Sequence, residues 1–186
     1  MSLSESSSSL ENLSIAFLIN AEDFFINFWP MKLQTSTIIP WVNLRTLALT
    51  SRLLHPEIGR GKIKNLLIAA GRAAAFMPRL KVMEIWNGGE GHACLFRYSN
   101  DGRTPQITWV SSWGPDVQFS DDVVSCWSAL LNGQHLTTTV NRLPRKRKQI
   151  KTYAAAILYL RLRSHVLHPI SDYQLHWEEY SLKAYC

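Results

Sequence analysis

The sequence predicts an α/β fold of strand–helix units, resembling a short, divergent leucine-rich-repeat solenoid with an antiparallel hairpin inserted. Three observations predict it. First, Leu10-x-x-Leu13-x-Ile15, Leu44-x-x-Leu47-x-Leu49 and Leu80-x-x-Met83-x-Ile85 all match L-x-x-L-x-L, with starts 34 and 36 residues apart. Second, helical periodicity directly follows two of these strands. Third, the turn signal Asn100-Asp101-Gly102 separates two strand-like runs, residues 92–98 and 106–111. A strand of the repeat type turns alternate aliphatics inward, and one unit cannot bury that face alone, so neighbours must stack. The ninth consensus position carries Leu18, Arg52 and Gly88 in place of Asn or Cys, and the period is longer than usual. An ordinary layered α/β sheet is therefore the alternative to a repeat.

The clearest helix spans residues 62–77. Ile63, Leu66, Leu67, Ala70, Ala74 and Met77 make one apolar stripe, Lys62, Lys64, Asn65 and Arg72 lie opposite, and Pro78 stops it. A second helix is expected over 150–162, with Ile150, Tyr153, Ala154, Ile157 and Leu158 inward. A shorter one starts near Ser120, whose hydroxyl can cap it while Asp121 and Asp122 suit the positive end of its dipole. Residues 21–29 and 172–182 are further helical stretches. Residues 80–86 form a strand that leads into the turn Asn87-Gly88-Gly89 and pairs with the strand starting near His92. Residues 1–9 are Ser-rich and expected to be disordered, leaving 10–186 as a single α/β domain.

Composition narrows the class. A chain of 186 residues with 46% hydrophobic and 18% charged residues can build a real core and is neither a disordered nor a membrane protein by composition. The three cysteines, Cys94, Cys126 and Cys186, are odd in number and follow no repeated spacing, which argues against a secreted disulfide framework. No run approaches the length of a membrane span, and no signal-peptide pattern precedes residues 15–19. A cytoplasmic or nuclear setting is expected.

Several runs together look like one family: Leu44-Arg-Thr-Leu-Ala-Leu-Thr-Ser-Arg-Leu-Leu, Met77-Pro-Arg-Leu-Lys-Val-Met-Glu-Ile-Trp-Asn-Gly-Gly and His92-Ala-Cys-Leu-Phe-Arg-Tyr, with Ala154-Ala-Ala-Ile, Leu160-Arg-Leu-Arg and Val166-Leu-His-Pro-Ile-Ser. They resemble the C-terminal domain of unknown function of fungal F-box-like, leucine-rich-repeat-like proteins, over most of residues 10–178. The resemblance implies the substrate-recruiting half of a ubiquitin-ligase adaptor, in which the leucine-rich part holds the target. Only nine Ser-rich residues precede Leu10, too few for an F-box, so direct binding of Skp1 is not expected.

Each candidate chemical site has a plain structural explanation beside it. The segment from Trp86, Asn87, Gly88 and Gly89 to His92 is a possible ligand loop, since glycine backbone can approach an anion. It lacks the Lys and Ser/Thr of a P-loop, and a hairpin turn explains it without a ligand. His92-x-Cys94 offers two metal-ligand types, but no second pair stands at zinc-site spacing, and no orienting group marks a Cys–His nucleophile. No metal, cofactor or catalytic residue is assigned. His55-Pro56 and His168-Pro169 echo one another without an evident role. Trp86, Trp109, Trp113 and Trp127 tempt a binding-platform reading, but Trp109 and Trp113 follow strand spacing on one face with Ile107, which suggests core packing, and the region lacks interleaved basic residues.

The formal charge of +6 is uneven: Arg142, Arg145, Lys146, Arg147, Lys148 and Lys151 fall within ten residues. Arg145, Lys146, Arg147 and Lys148 precede the helix near Ile150, where the dipole disfavours cations, so the run is a candidate for an anionic surface or a nuclear-import receptor. A solvated loop is the competing explanation. The leading expectation is a non-catalytic protein-interaction domain. A nucleic-acid-associated protein acting through residues 142–151 and a small α/β enzyme with a site near residues 86–92 are the alternatives.

Overall fold

The computed structural model describes residues 9–30, 38–89, 91–113, 119–143 and 150–162. In chain order they form β1 (Asn12–Asn20), α1 (Ala21–Phe24), a 3-10 turn (Ile26–Phe28), β2 (Thr46–Thr50), α2 (Arg60–Ala74), β3 (Val82–Gly89), β4 (His92–Ser99), β5 (Gln106–Ser111), α3 (Asp121–Ser128), β6 (Thr137–Arg142) and α4 (Tyr153–Tyr159). The six strands make one sheet in sequence order. β1, β2 and β3 are parallel, β4 and β5 alternate in direction as hairpins, and β6 returns parallel to β5. The described fold is thus a mixed α/β sheet with few helices.

The aliphatic triplets become neighbouring strands in register. Leu13 lies beside Leu47 and Leu47 beside Met83, while Ile15, Leu49 and Ile85 form the next rung. After three strands the solenoid expectation departs from the structure. Two residues separate β3 from β4 and six separate β4 from β5, too few for a crossover helix, so these neighbours pair antiparallel.

The parallel connections all step the same way along the sheet, which by the usual handedness puts their helices on one face, and residues of α1, α2 and α3 do share one core. The large core lies there. Ile63, Leu66, Leu67, Ala70 and Met77 are buried among Leu47, Leu49, Met83 and Ile85, as the helical stripe predicts. Gly71 sits inside α2 because α3 crosses it closely. A Cβ there would stand 2.9 Å from Cys126 Sγ and 3.1 Å from Trp127 Nε1. The close approach lets the Trp127 indole N–H donate to Leu67 O at 3.1 Å. Lys64 Nζ reaches Asp122 Oδ2 at 3.0 Å, a second, solvent-exposed link between these helices.

A smaller core lies on the opposite face, where Ile150, Ala156, Ile157 and Leu160 cover Trp86, Ala93 and Leu95. Thr152 caps α4, its Oγ1 accepting from Ala155 N at 3.2 Å.

Several local expectations are corrected. The helix expected over 150–162 is only two turns long, and Tyr153 and Leu158 face solvent while Ile150, Ala154 and Ile157 are buried. The Ser120 hydroxyl makes no cap bond; its carbonyl accepts from Val123 N and Val124 N, which starts α3. Residues 21–29 divide into α1 and a 3-10 turn. β6 was not expected, because an edge strand reading Thr-Thr-Thr-Val-Asn-Arg has no buried face to impose alternation. The helix expected over 172–182, His168 and, of residues 1–9 expected to be disordered, all but Ser9 fall outside the described residues.

Candidate recognition surface

Alternation along the strands sends every second side chain away from the large core, and register aligns them in rows. One row reads Ser14, Ala48, Glu84, Arg97, Thr108 and Thr139 across all six strands. The next reads Asn12, Thr46, Val82, Ser99, Gln106 and Thr137. These rows are predominantly polar. Thr46 Oγ1 donates to Asn12 Oδ1 at 2.7 Å. Arg97 places both Nε and Nη2 at 2.6 Å from Glu84 Oε1, and the Glu84 side chain is buried. Buried charge is tolerated only when paired, so this contact fixes both side chains on the face.

The third row turns apolar: Trp86, Leu95 and Val110 lie side by side. Here β1 breaks register between Ile15 and Asn20, and Phe17 takes a left-handed backbone conformation, φ +63°. An aromatic residue pays about 1–3 kcal/mol for that conformation. Phe17 N donates to Thr50 Oγ1 at 2.8 Å, which holds the bulge in place. The Phe17 ring stands edge-on to Trp86, centroids 5.5 Å apart, and 4.2 Å from the Tyr153 ring. Trp86 is fully buried, yet Phe17 and Tyr153 remain 49% and 51% exposed, and neighbouring Leu18 is 88% exposed. The result is an outward aromatic patch on a rigid indole floor, bordering the polar rows.

The residues of the possible ligand loop fall at the β3–β4 hairpin, and they do not share one role. Gly88 lies under α4, where an added Cβ would stand 2.2 Å from Ala156 Cβ. Gly89, at φ +109°, lies beside the Tyr153 ring and residue 152. Gly91 N donates to Ile150 O at 2.7 Å. Asn87 ties two loops together: its Nδ2 donates to Leu54 O at 3.2 Å and its Oδ1 accepts from Gly88 N. The glycine spacing therefore serves the close seating of α4 on the sheet.

His92 is buried at the same strand end. Its ring lies 4.4 Å from that of His55 and 6.0 Å from that of Trp113. The two histidines are far apart in sequence, and nothing in their local context signals that β2 and β4 bring them together. Cys94 instead belongs to the large core, and its burial raises the thiol well above its usual range. Cys94 should therefore resist iodoacetamide at neutral pH in the native protein and react only after denaturation, as read by peptide mass spectrometry. Rapid native labelling would contradict its placement.

The four tryptophans form no common platform. Trp86 lies in the small core, Trp109 and Trp127 in the large one, and Trp113 packs at its margin. Arg145, Lys146, Arg147 and Lys148 lie outside the described residues; their neighbours Arg142 and Lys151 are exposed. Among the described residues, no three His, Cys, Asp or Glu side chains are grouped to hold a metal ion, and no helix is long and apolar enough to cross a membrane.

The chain belongs to a family of unknown function, DUF6546, whose model matches residues 1–168. No curated protein and no solved structure matches it.

Proposed function

We propose that this chain is a non-catalytic recognition domain that grips a protein partner on the second face of its sheet, in the manner of the substrate-recruiting part of an F-box-like adaptor. The observation that carries the reading is the Phe17–Tyr153 patch. Aromatic side chains dominate the energetics of protein interfaces, especially where a rigid apolar floor lies beneath them and a polar rim surrounds them. Trp86 supplies the floor, and the rows through Thr46, Thr108 and Thr139 supply the rim. Folding alone gives little reason to hold a half-exposed phenylalanine at positive φ, since glycine would adopt that backbone without strain. The in-register aliphatic rungs of β1, β2 and β3 support the likeness to leucine-rich-repeat recruiting domains, which also present a sheet face.

Phe17→Gly tests the reading, because it relieves backbone strain while deleting the ring. Its melting temperature should stay within a few degrees of wild type, since the lost ring contacts and the relieved strain oppose one another. Partners retained by wild type in quantitative affinity capture should be lost from the variant. Retention of the same partners at the same occupancy by a folded Phe17→Gly protein would overturn the proposal.

A further inference from the structure

At the opposite end of the sheet, where β2 and β3 begin, an open cleft of about 430 Å³ is lined by Arg45, Arg79 and Lys81 on one side and residues 100–102 on the other. Cross-strand bonding assembles it. Lys81 N and Val82 N donate to Arg45 O, and Asn100 N donates to Lys81 O, so two strand starts and one hairpin turn converge. Leu80, largely buried, and Pro78 are the apolar members of the lining.

The charge balance of this cleft is positive. Asp101 is the one acidic member among the described residues that line it, and that carboxylate accepts from Arg103 N and Thr104 N, which lowers its pKa and commits it to the turn. Among the described residues, the Arg45 side chain has a loose, solvent-exposed contact with Glu11, at 3.6 Å. Arg79 spends one N–H on Asn43 Oδ1 at 3.3 Å. A guanidinium carries five donors, so both arginines keep donors for a further acceptor. Lys81 has no side-chain partner among the described residues.

We propose that this cleft binds an anionic peptide segment, one bearing clustered Asp and Glu or phosphorylated side chains. Its volume lies in the range of ligand sites, but its openness to solvent suits a chain laid across it better than an enclosed small molecule. Two arginines and a lysine within one cleft match carboxylate or phosphate groups by fork geometry and by charge. Among the described residues that line the cleft, none is aromatic, so three cations stand there without a stacking platform for bases, which favours a peptide over a single-stranded nucleic acid. The site is separate from the aromatic patch and independent of the reading built on it.

The test uses fluorescence anisotropy of the full chain with a short labelled Glu-rich peptide, its phosphoserine counterpart, its Gln counterpart and a single-stranded oligonucleotide. At low salt, at least one anionic peptide should bind, the Gln peptide should not, and binding should weaken as salt rises. Arg79→Gln/Lys81→Gln should weaken that binding roughly tenfold, the scale of losing charged hydrogen bonds, with the melting temperature unchanged. The control Arg142→Gln/Lys151→Gln, beside the other basic run, should leave it within about twofold. The relative affinity of the Glu and phosphoserine peptides then identifies the anion. Equal binding by the cleft variant, equal binding of the Gln peptide, tighter binding of the oligonucleotide, or loss only in the control variant would each overturn the proposal. If Arg79→Gln/Lys81→Gln unfolds, Arg79→Lys/Lys81→Arg keeps the charge, and failure of that folded variant to bind anionic peptide above the Gln peptide would also overturn it.

Discussion

Trp127→Ala is expected to destabilise the protein by about 3–5 kcal/mol, the usual cost of emptying a buried aromatic site. At this chain length that corresponds to a fall of roughly 6–20 °C in melting temperature. Trp127 is fully buried, with its ring centroid 4.8 Å from Tyr98 and 5.3 Å from Phe96. Its N–H also satisfies Leu67 O, so truncation loses packing and a buried hydrogen bond together. The space cannot close easily, because α2 meets α3 at Gly71, which has no side chain to fill it. Leu158→Ala, at a solvent-facing position on α4, should change stability by only about 0.5 kcal/mol or less. Thermal unfolding of both variants checks the pair, and similar losses in the two would mean that the large core is not where the structure places it.

Gly88→Ala should cost about 1–3 kcal/mol by overpacking, although it adds a single methyl group on a strand. That Cβ would fall 2.2 Å from Ala156 Cβ, and neither group is a flexible side-chain end that can swing aside. α4 must lift, exposing Trp86, Ile157 and Leu160. The compensating change is Ala156→Gly. Combined with Gly88→Ala, it should recover part of the loss, because the clashing atom is gone. Recovery stays incomplete for two reasons: glycine inside a helix costs about 1 kcal/mol, and His92 O would still press on the new Cβ at 3.2 Å. Denaturant unfolding of the wild type, both single variants and the double variant gives the coupling energy directly. A double variant no more stable than Gly88→Ala alone would show that Gly88 is not kept for the approach of α4.

Legibility of the fold followed burial. The stripe from Ile63 to Met77 was readable because a helix packed on a sheet must keep one apolar face, and all its named positions lie in the large core. The aliphatic triplets were readable as strands for the same reason, and register then stacks them. The hairpin between β4 and β5 was announced by turn chemistry at residues 100–102. β6 was illegible because an edge strand with little buried surface carries no pattern. Tyr153 and Leu158 were misplaced because α4 is too short for its periodicity to select one face unambiguously.

The candidate surface was less legible than the fold. Trp86 and the glycines beside it drew notice through composition, but their shared purpose in seating α4 depends on a helix more than sixty residues later. Phe17 gave no signal at all. Its left-handed backbone and its meeting with Tyr153 are tertiary facts, set by the register break in β1. Arg45 was likewise far in sequence from Arg79 and Lys81 until β2 and β3 aligned their starts.

Site-specific photo-crosslinking tests the central claim most directly. A photoreactive residue at Leu18, the most exposed large apolar side chain among the described residues, should crosslink a partner protein beside the Phe17–Tyr153 patch. The same probe at Lys62, exposed on α2 and remote from that face, should give no crosslink to that partner. Crosslinking to one protein from Leu18 alone, abolished by Phe17→Gly in the folded chain, is the predicted result. Crosslinking from Lys62 but not from Leu18 would place the partner on the helical face and contradict the recognition surface described for the sheet.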